Sequence, residues 1–164
     1  TAMQAGLNIA GYHLPLDAHP VVGNNAQLGK VLGLEMLSQF GYQNLLAEGV
    51  LPEAQSLQEL THKITHVLER ALVVIGQPEQ KIKRVAWCTG GAQGYFQEAI
   101  DAGVDAYITG EISESQYHLA NETGVAFISA GHHATEKFGV QALAKYIETN
   151  HGIGFQFFDE QNPA

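Results

Sequence analysis

What this chain lacks narrows it before any motif is read. It has one cysteine, Cys88, in 164 residues. No internal disulfide is available, and a reducing, cytoplasmic setting is expected. Cationic side chains are scarce: 8 Lys and Arg against 17 Asp and Glu, for a net charge of −9. A protein gripping a phosphate backbone normally shows a basic face, so nucleic acid is not an expected partner of this portion. An acidic total still allows a locally positive, metal-bearing cleft. No apolar run approaches a membrane span; Ala71-Leu72-Val73-Val74-Ile75 is far too short. No basic stretch followed by an apolar core opens the chain, so no signal peptide is read. Position 1 carries no initiator methionine, and Thr1-Ala2-Met3-Gln4-Ala5-Gly6 runs at once into a strand pattern over residues 7–12. That start reads like the middle of a longer chain. Several catalytic signatures are missing too. There is no His-Glu-x-x-His, no paired cysteines for a zinc deaminase site, and Ser129 is not in a Gly-x-Ser-x-Gly elbow.

What is present is an ordinary globular composition, 45% hydrophobic, with the length of one domain and enough chain to bury a core. The clearest regularity is a 20-residue repeat. Val85-Ala86-Trp87-Cys88-Thr89-Gly90, Asp105-Ala106-Tyr107-Ile108-Thr109-Gly110 and Val125-Ala126-Phe127-Ile128-Ser129-Ala130 align position by position. Helical patterns follow over residues 95–102, 113–123 and 133–149. A leucine-type solenoid has a similar period, but its leucine and asparagine scaffold is missing. Strand–turn–helix units of an α/β sheet fit better, because a parallel crossover needs a dozen or more residues. Parallel strands place their strand-to-helix turns on one edge, where open α/β sheets bind ligands. Thr89-Gly90-Gly91, Thr109-Gly110-Glu111 and Gly131-His132-His133 are therefore expected on one rim. The turn holding His13 and Asp17 joins them if the strand at 7–12 is also parallel.

Elsewhere, Gly23-Asn24-Asn25 reads as the cap of a helix over 26–34, with Asn as N-cap. A strand follows over 42–50. Ser56-Leu57-Gln58-Glu59 is a capping box opening a helix to about Arg70, with Leu57, Leu60, Ile64, Val67 and Leu68 on one face. Pro78-Glu79-Gln80-Lys81 reads as a surface connection. Residues 153–158 alternate as a last strand, and Asp159-Glu160-Gln161-Asn162-Pro163-Ala164 is a polar tail.

The chemistry-bearing residues lie in two distant stretches. His132 and Glu136 are four residues apart at a helix start, so both side chains share one face. Imidazole and carboxylate at that spacing make half of a metal site. The plain alternative is a helix-start histidine and a first-turn carboxylate favoured by the dipole. His133 points elsewhere. The second stretch is His13-Leu14-Pro15-Leu16-Asp17-Ala18-His19-Pro20, where Asp17 is a ligand or a loop residue bonding its own backbone. His19, before a proline, is expected to be extended and partly exposed. Thr89-Gly90-Gly91-Ala92-Gln93-Gly94 lacks a P-loop lysine and a dinucleotide spacing, and reads as a tight turn. Cys88 reads as an inert core thiol. Glu111 and His118 fall near the rim as ordinary helix residues.

Taken together, His13-Leu14-Pro15-Leu16-Asp17-Ala18-His19-Pro20 with Asn24-Asn25, Trp87-Cys88-Thr89-Gly90-Gly91, Tyr107-Ile108-Thr109-Gly110-Glu111, Gly131-His132-His133-Ala134-Thr135-Glu136 and the closing Asn162-Pro163-Ala164 resemble the GTP cyclohydrolase 1 type 2, or NIF-three-like, family. The resemblance covers the whole chain. It implies an α/β, three-layer fold with a mixed, largely parallel sheet, in a two-part architecture of intertwined repeats. Residues 1–34 would complete a metal-binding domain, 35–125 would form a middle domain, and 126–164 would return to the first. It also implies a toroidal homohexamer and a pair of divalent metal ions, with Asp17, His132 and Glu136 as ligands. The family's adjacent His-His pair, which precedes the Asp17 loop, has no counterpart here. The chain is therefore expected to be the C-terminal portion of a family member, holding part of the site. Histidine with carboxylates suits Zn, Mn, Fe or Ni without distinguishing them. The function implied is a metal-dependent hydrolase acting on a small molecule, with a nucleotide as the substrate the family name points to. The rival is a non-enzymatic metal-containing ring that regulates a protein or nucleic-acid partner.

Overall fold

The three repeat strands lie side by side at the centre of one six-stranded sheet. The computed structural model describes residues 4–160 and 162–163. Thr1, Ala2, Met3, Gln161 and Ala164 lie outside the described residues, and with them part of the opening segment and of the polar tail read from the sequence. In chain order the elements are α1 (Leu14–Ala18), α2 (Asn24–Val31), β1 (Glu35–Phe40), β2 (Leu46–Ser56), α3 (Leu57–Leu68), β3 (Val73–Ile75), β4 (Lys81–Trp87), α4 (Phe96–Asp101), β5 (Ala106–Thr109), α5 (Glu114–Thr123), β6 (Ala126–Ser129) and α6 (His132–His151). The strand order is β1-β2-β4-β5-β6-β3. β4, β5 and β6 run parallel. The strands outside them join antiparallel, β2 on β4, β1 on β2 and β3 on β6, so the α/β sheet is mixed around a parallel centre.

The 20-residue period is kept in one ladder and slips in the other. Tyr107 pairs with Phe127 and Ile108 with Ile128, but Tyr107 faces Ala86 rather than Trp87. A one-residue slip sends a side chain to the opposite face. Trp87 therefore packs with Ile108 and Ile128 against Leu28 of α2, Leu32 at its C-cap, and Leu57, Leu60, Ile64 and Leu68 of α3. Tyr107 and Phe127 pack on the other face with Phe96 and Ala99 of α4 and Ala120 of α5. Phe96 meets Phe127 edge-on at 4.9 Å between ring centres, a favoured aromatic geometry. Helices thus cover both faces, and the molecule has three layers.

Local signals account for most of the helices. Ser56 caps α3 by accepting from the Glu59 N–H while the Glu59 carboxylate accepts from the Ser56 N–H, the reciprocal box read from the sequence. α5 carries a similar box between Ser113 and Gln116 and ends at Gly124 in the left-handed region, φ 75°. Pro52 sits in β2 where the pairing with β4 shifts register between Val50 and Gln55, as a residue without an N–H requires.

Four local expectations fail for identifiable reasons. Residues 7–12 form no strand and stand exposed; alternation makes a strand only where an edge pairs with it, and no described strand runs beside this one. Residues 42–50 split into a 3-10 turn, Tyr42–Asn44, and the start of the longer β2. Residues 153–158 run as an irregular tail. The N-cap of α2 is Gly23, with no side-chain cap; Asn24 and Asn25 are inside the helix and buried, and their amides serve the site. β1 escaped prediction because its residues do not alternate in burial, which removes the period-2 signal.

Candidate functional site

The expected rim exists. The Gly110 N–H donates to the Gly90 carbonyl at 2.8 Å and the Gly131 N–H to the Gly110 carbonyl at 2.9 Å, so the three strand-to-helix turns are stitched edge to edge. Space forces glycine at their contacts. A Cβ on Gly110 would come within 2.6 Å of both the Gly90 carbonyl and the His132 Cα. One on Gly90 would collide with the Glu136 carboxylate and reach 3.0 Å from His132 Nε2. The turn at Gly90 is therefore a cradle for these two side chains. Thr135, fully buried, accepts from the Gly90 N–H at 3.0 Å and fixes the turn to the first turn of α6.

His132 and Glu136 meet as the helical spacing requires, His132 Nε2 lying 3.3 Å from Glu136 Oε2. The other ring nitrogen, Nδ1, stands 2.6 Å from Glu111 Oε1. A carboxylate on Nδ1 fixes the orientation of the ring, an arrangement common behind metal-binding histidines. The Glu111 contact raises His132 above the ordinary imidazole range, with burial opposing. The same contact holds the Glu111 carboxyl low. Glu111 is no ordinary helix-start residue: it precedes α5 and serves His132. The signal was available, since the rim places the turn after β5 beside the turn after β6.

Asp17 reaches this place without a strand before it. It is buried at the end of α1 and accepts from Asn24 Nδ2 at 2.7 Å. The Asn24 side-chain oxygen accepts from the Gly139 N–H of α6 at 2.8 Å. Gly139 is three residues beyond Glu136, on the neighbouring part of the same face, so Asn24 fastens the early loop to the site helix. Burial raises the Glu136 carboxyl above its usual range; the Asp17 charge adds to this, while His132 and His13 oppose it. The two stretches therefore come together, although among the described residues no group of three or more His, Cys, Asp and Glu side chains forms a ready enclosure for a metal ion.

The residues present still fit a divalent ion as part of a ligand set. The Glu136 carboxylate stands against an imidazole whose back nitrogen is already held by Glu111, and Asp17 is close enough for its charge to bear on Glu136, a donor chemistry suited to such ions. The Thr89 hydroxyl on the same turn is buried with no partner among the described residues, an orphan polar atom of the kind an absent group explains. Asn25 completes the support: its Nδ2 donates to the Leu45 carbonyl at 2.8 Å and its Oδ1 accepts from the Thr89 N–H at 2.9 Å.

The remaining candidates separate cleanly. His133 turns away to Asp159, 2.7 Å distant, and this contact, ahead of Lys137, holds the Asp159 carboxyl low. His19 is exposed in extended backbone and accepts from the N–H groups of Val21 and Val22. His118 is exposed against Tyr117. Cys88 is buried, and burial, with the Asp17 charge second, pushes its thiol up to about 12. Thiol reagents at pH 8 are expected to leave the folded protein unlabelled and to label one site after unfolding in urea; labelling at equal rates in both states contradicts the burial. The folded thiol holds its proton more tightly than the unfolded one. Its contribution to stability is therefore complete below 9.0 and falls away as pH rises toward about 12.

No helix among the described residues is long and apolar enough to cross a membrane. The model of the Duf34/NIF3 (NGG1p interacting factor 3) family matches residues 1–163. The GTP cyclohydrolase 1 type 2 homologs of Neisseria meningitidis and Pseudomonas aeruginosa are 63% and 47% identical over 158 and 169 residues, covering 96% and 100% of this chain. The chain spans only 64% and 66% of their lengths. A solved structure described as protein ybgI, of unknown function, superposes with a TM-score of 0.92 at 44% identity, over 96% of this chain and 64% of that one. A Thermus thermophilus protein does so with a TM-score of 0.83 at 30% identity, over 98% and 64%. A family match over residues 1–163, with relatives 63% and 47% identical, places this chain in the Duf34/NIF3 family, among relatives named GTP cyclohydrolase 1 type 2 homologs.

Proposed function

We propose that the chain forms part of a metal-dependent hydrolase, with Asp17, His132 and Glu136 as ligands of a dinuclear divalent centre and a small molecule, a nucleotide by the relatives' name, as substrate. The observation that carries this is the His132 ring held between Glu111 and Glu136 while a buried carboxylate, Asp17, is fastened to the same helix. Divalent ions in such a site supply an acidified water and a charge clamp on a substrate oxygen. The chain's own residues prepare the place. Glu111 orients the imidazole, Asn24 positions Asp17, and Gly90 leaves room for both α6 side chains.

Self-association belongs to the same proposal. Ile9, Tyr12, Val21 and Tyr146 are exposed, and Tyr12, Val21 and Tyr146 line an apolar cleft of about 500 Å³ with Leu16 and Leu143. Contiguous exposed apolar surface favours association, and the homohexamer of the resembled family is the assembly to look for by light scattering. The test of the enzyme reading is metal content and turnover. Metal-loaded wild type is expected to turn over a nucleotide or generic phosphoester, and Asp17→Ala to hold less metal and lose turnover. Equal rates in the two remove the hydrolase and leave the non-enzymatic metal-containing ring that binds a regulatory partner.

A further inference from the structure

Few cations are available to this acidic chain, yet three cationic or protonatable side chains gather beside the candidate centre. Arg70 follows α3, and His133 and Lys137 stand one turn apart on α6. All three line one cleft of about 610 Å³ with Asp159, Asn162 and Pro163. Asp159, arriving from the tail, places one carboxylate oxygen 2.7 Å from His133 Nε2 and the other 3.2 Å from Lys137 Nζ. Arg70 packs its guanidinium against Gly131, where a Cβ would run into it, and donates to the Pro163 carbonyl at 3.2 Å. A second cleft, of about 560 Å³, is lined by His132 and Glu136 and shares His133, Lys137 and Asn162 with the first, with Phe157 and Phe158 along it. The cationic groups therefore stand between the candidate ligands and the tail.

We infer that Arg70, His133 and Lys137 form an anion subsite of the candidate centre, made for the phosphate of a phosphorylated small molecule, and that residues 155–160 are a strap whose Asp159 carboxylate holds this subsite until the phosphate displaces it. The role in catalysis rests on the hydrolase reading above; the binding does not.

Three observations support it. A carboxylate with one oxygen on each of two donors reproduces two oxygens of a phosphate, and charge-assisted contacts of this kind are the strong ones. The N-terminus of the 20-residue α6 adds its own positive end in the turn that carries His133. The strap is lightly held, since Phe155 and Phe158 are exposed on it and only Phe157 is half-buried, so lifting it uncovers one partly covered ring. Lys137 and Arg70 also repel a metal ion, so this cleft suits the substrate's anion rather than a further cation.

The test is titration of the metal-free full chain, kept in chelator, with inorganic phosphate and with a phosphomonoester, followed by calorimetry. Asp159→Asn is expected to bind both about ten-fold more tightly than wild type, because the competing carboxylate is gone. Adding Lys137→Gln to Asp159→Asn is expected to reverse the gain by about ten-fold. Metal content of both variants is expected to match wild type, so failure here is separable from failure of the hydrolase reading. Equal phosphate affinity in Asp159→Asn and wild type overturns the inference. So does a lowered thermal midpoint in Asp159→Asn with unchanged phosphate affinity, which makes Asp159 a structural clip. Phosphate binding indifferent to Lys137→Gln overturns it as well.

Discussion

Asn25→Ala is expected to destabilise the fold by about 3 kcal/mol and to loosen the rim with it. The side chain is fully buried and makes two bonds that no neighbour replaces in the described structure: Nδ2 to the Leu45 carbonyl and Oδ1 from the Thr89 N–H. Alanine leaves a buried acceptor and a buried donor unpaired, each worth roughly 1–3 kcal/mol, and opens a void beside them. The backbone of the same residue holds a third group, since the Trp87 indole N–H donates to the Asn25 carbonyl at 2.8 Å. The single tryptophan of the chain therefore reports on this joint. Urea unfolding followed by Trp87 emission is expected to show a lower midpoint for Asn25→Ala and a shifted native-state spectrum. Asn121→Ala serves as control, because that exposed amide donates only within its own helix, to the Tyr117 carbonyl. If both variants stay within about 0.5 kcal/mol of wild type, Asn25 does not join α2 to the rim.

How much of this was legible beforehand follows from where each signal is stored. The sheet centre was readable because β5 and β6 repeat the same kinds of side chain in the same order, and α3 because its cap and its Leu57, Leu60, Ile64 and Leu68 stripe are local. His132 and Glu136 were readable for the same reason, since four residues on a helix fix a shared face. The slip that carries Trp87 to the opposite face was not readable, because register is decided between strands and leaves no mark within one. The strand expected at residues 7–12 fails on the same ground, alternation being only a readiness to pair. Asn24 and Asn25 misled because asparagine before a helix is normally a cap. Their partners, Asp17, Gly139, Leu45 and Thr89, are distant in sequence except for Asp17. Glu111 reads locally as a helix start, and only the shared rim puts it next to His132.

Gly139→Ala is where local propensity and packing make opposite forecasts. In the middle of a 20-residue helix, alanine is favoured over glycine by about 1 kcal/mol, so propensity forecasts a gain. Packing forecasts a loss. The added Cβ would overlap the Asn24 side-chain oxygen and lie 2.9 Å from the Asn24 Cγ and from its backbone N. The amide has no free direction in which to yield, because its oxygen accepts from the Gly139 N–H and its nitrogen donates to Asp17. The backbone N moves only if α2 moves. Overpacking of this kind costs roughly 1–3 kcal/mol, and a broken buried bond to a carboxylate adds about 1.5–3 kcal/mol. The net expectation is a destabilisation of about 3 kcal/mol despite the better helix former. Thermal and urea unfolding measure it, with Gly94→Ala as a comparison because no atom lies within 4 Å of a Cβ there. The same variant tests the site. Pushing Asn24 aside frees Asp17 from α6, so metal affinity is expected to fall together with stability. A Gly139→Ala protein as stable as wild type would show that α2 and α6 do not meet through Asn24; one that is destabilised yet retains full metal content would show that Asp17 finds its place without it.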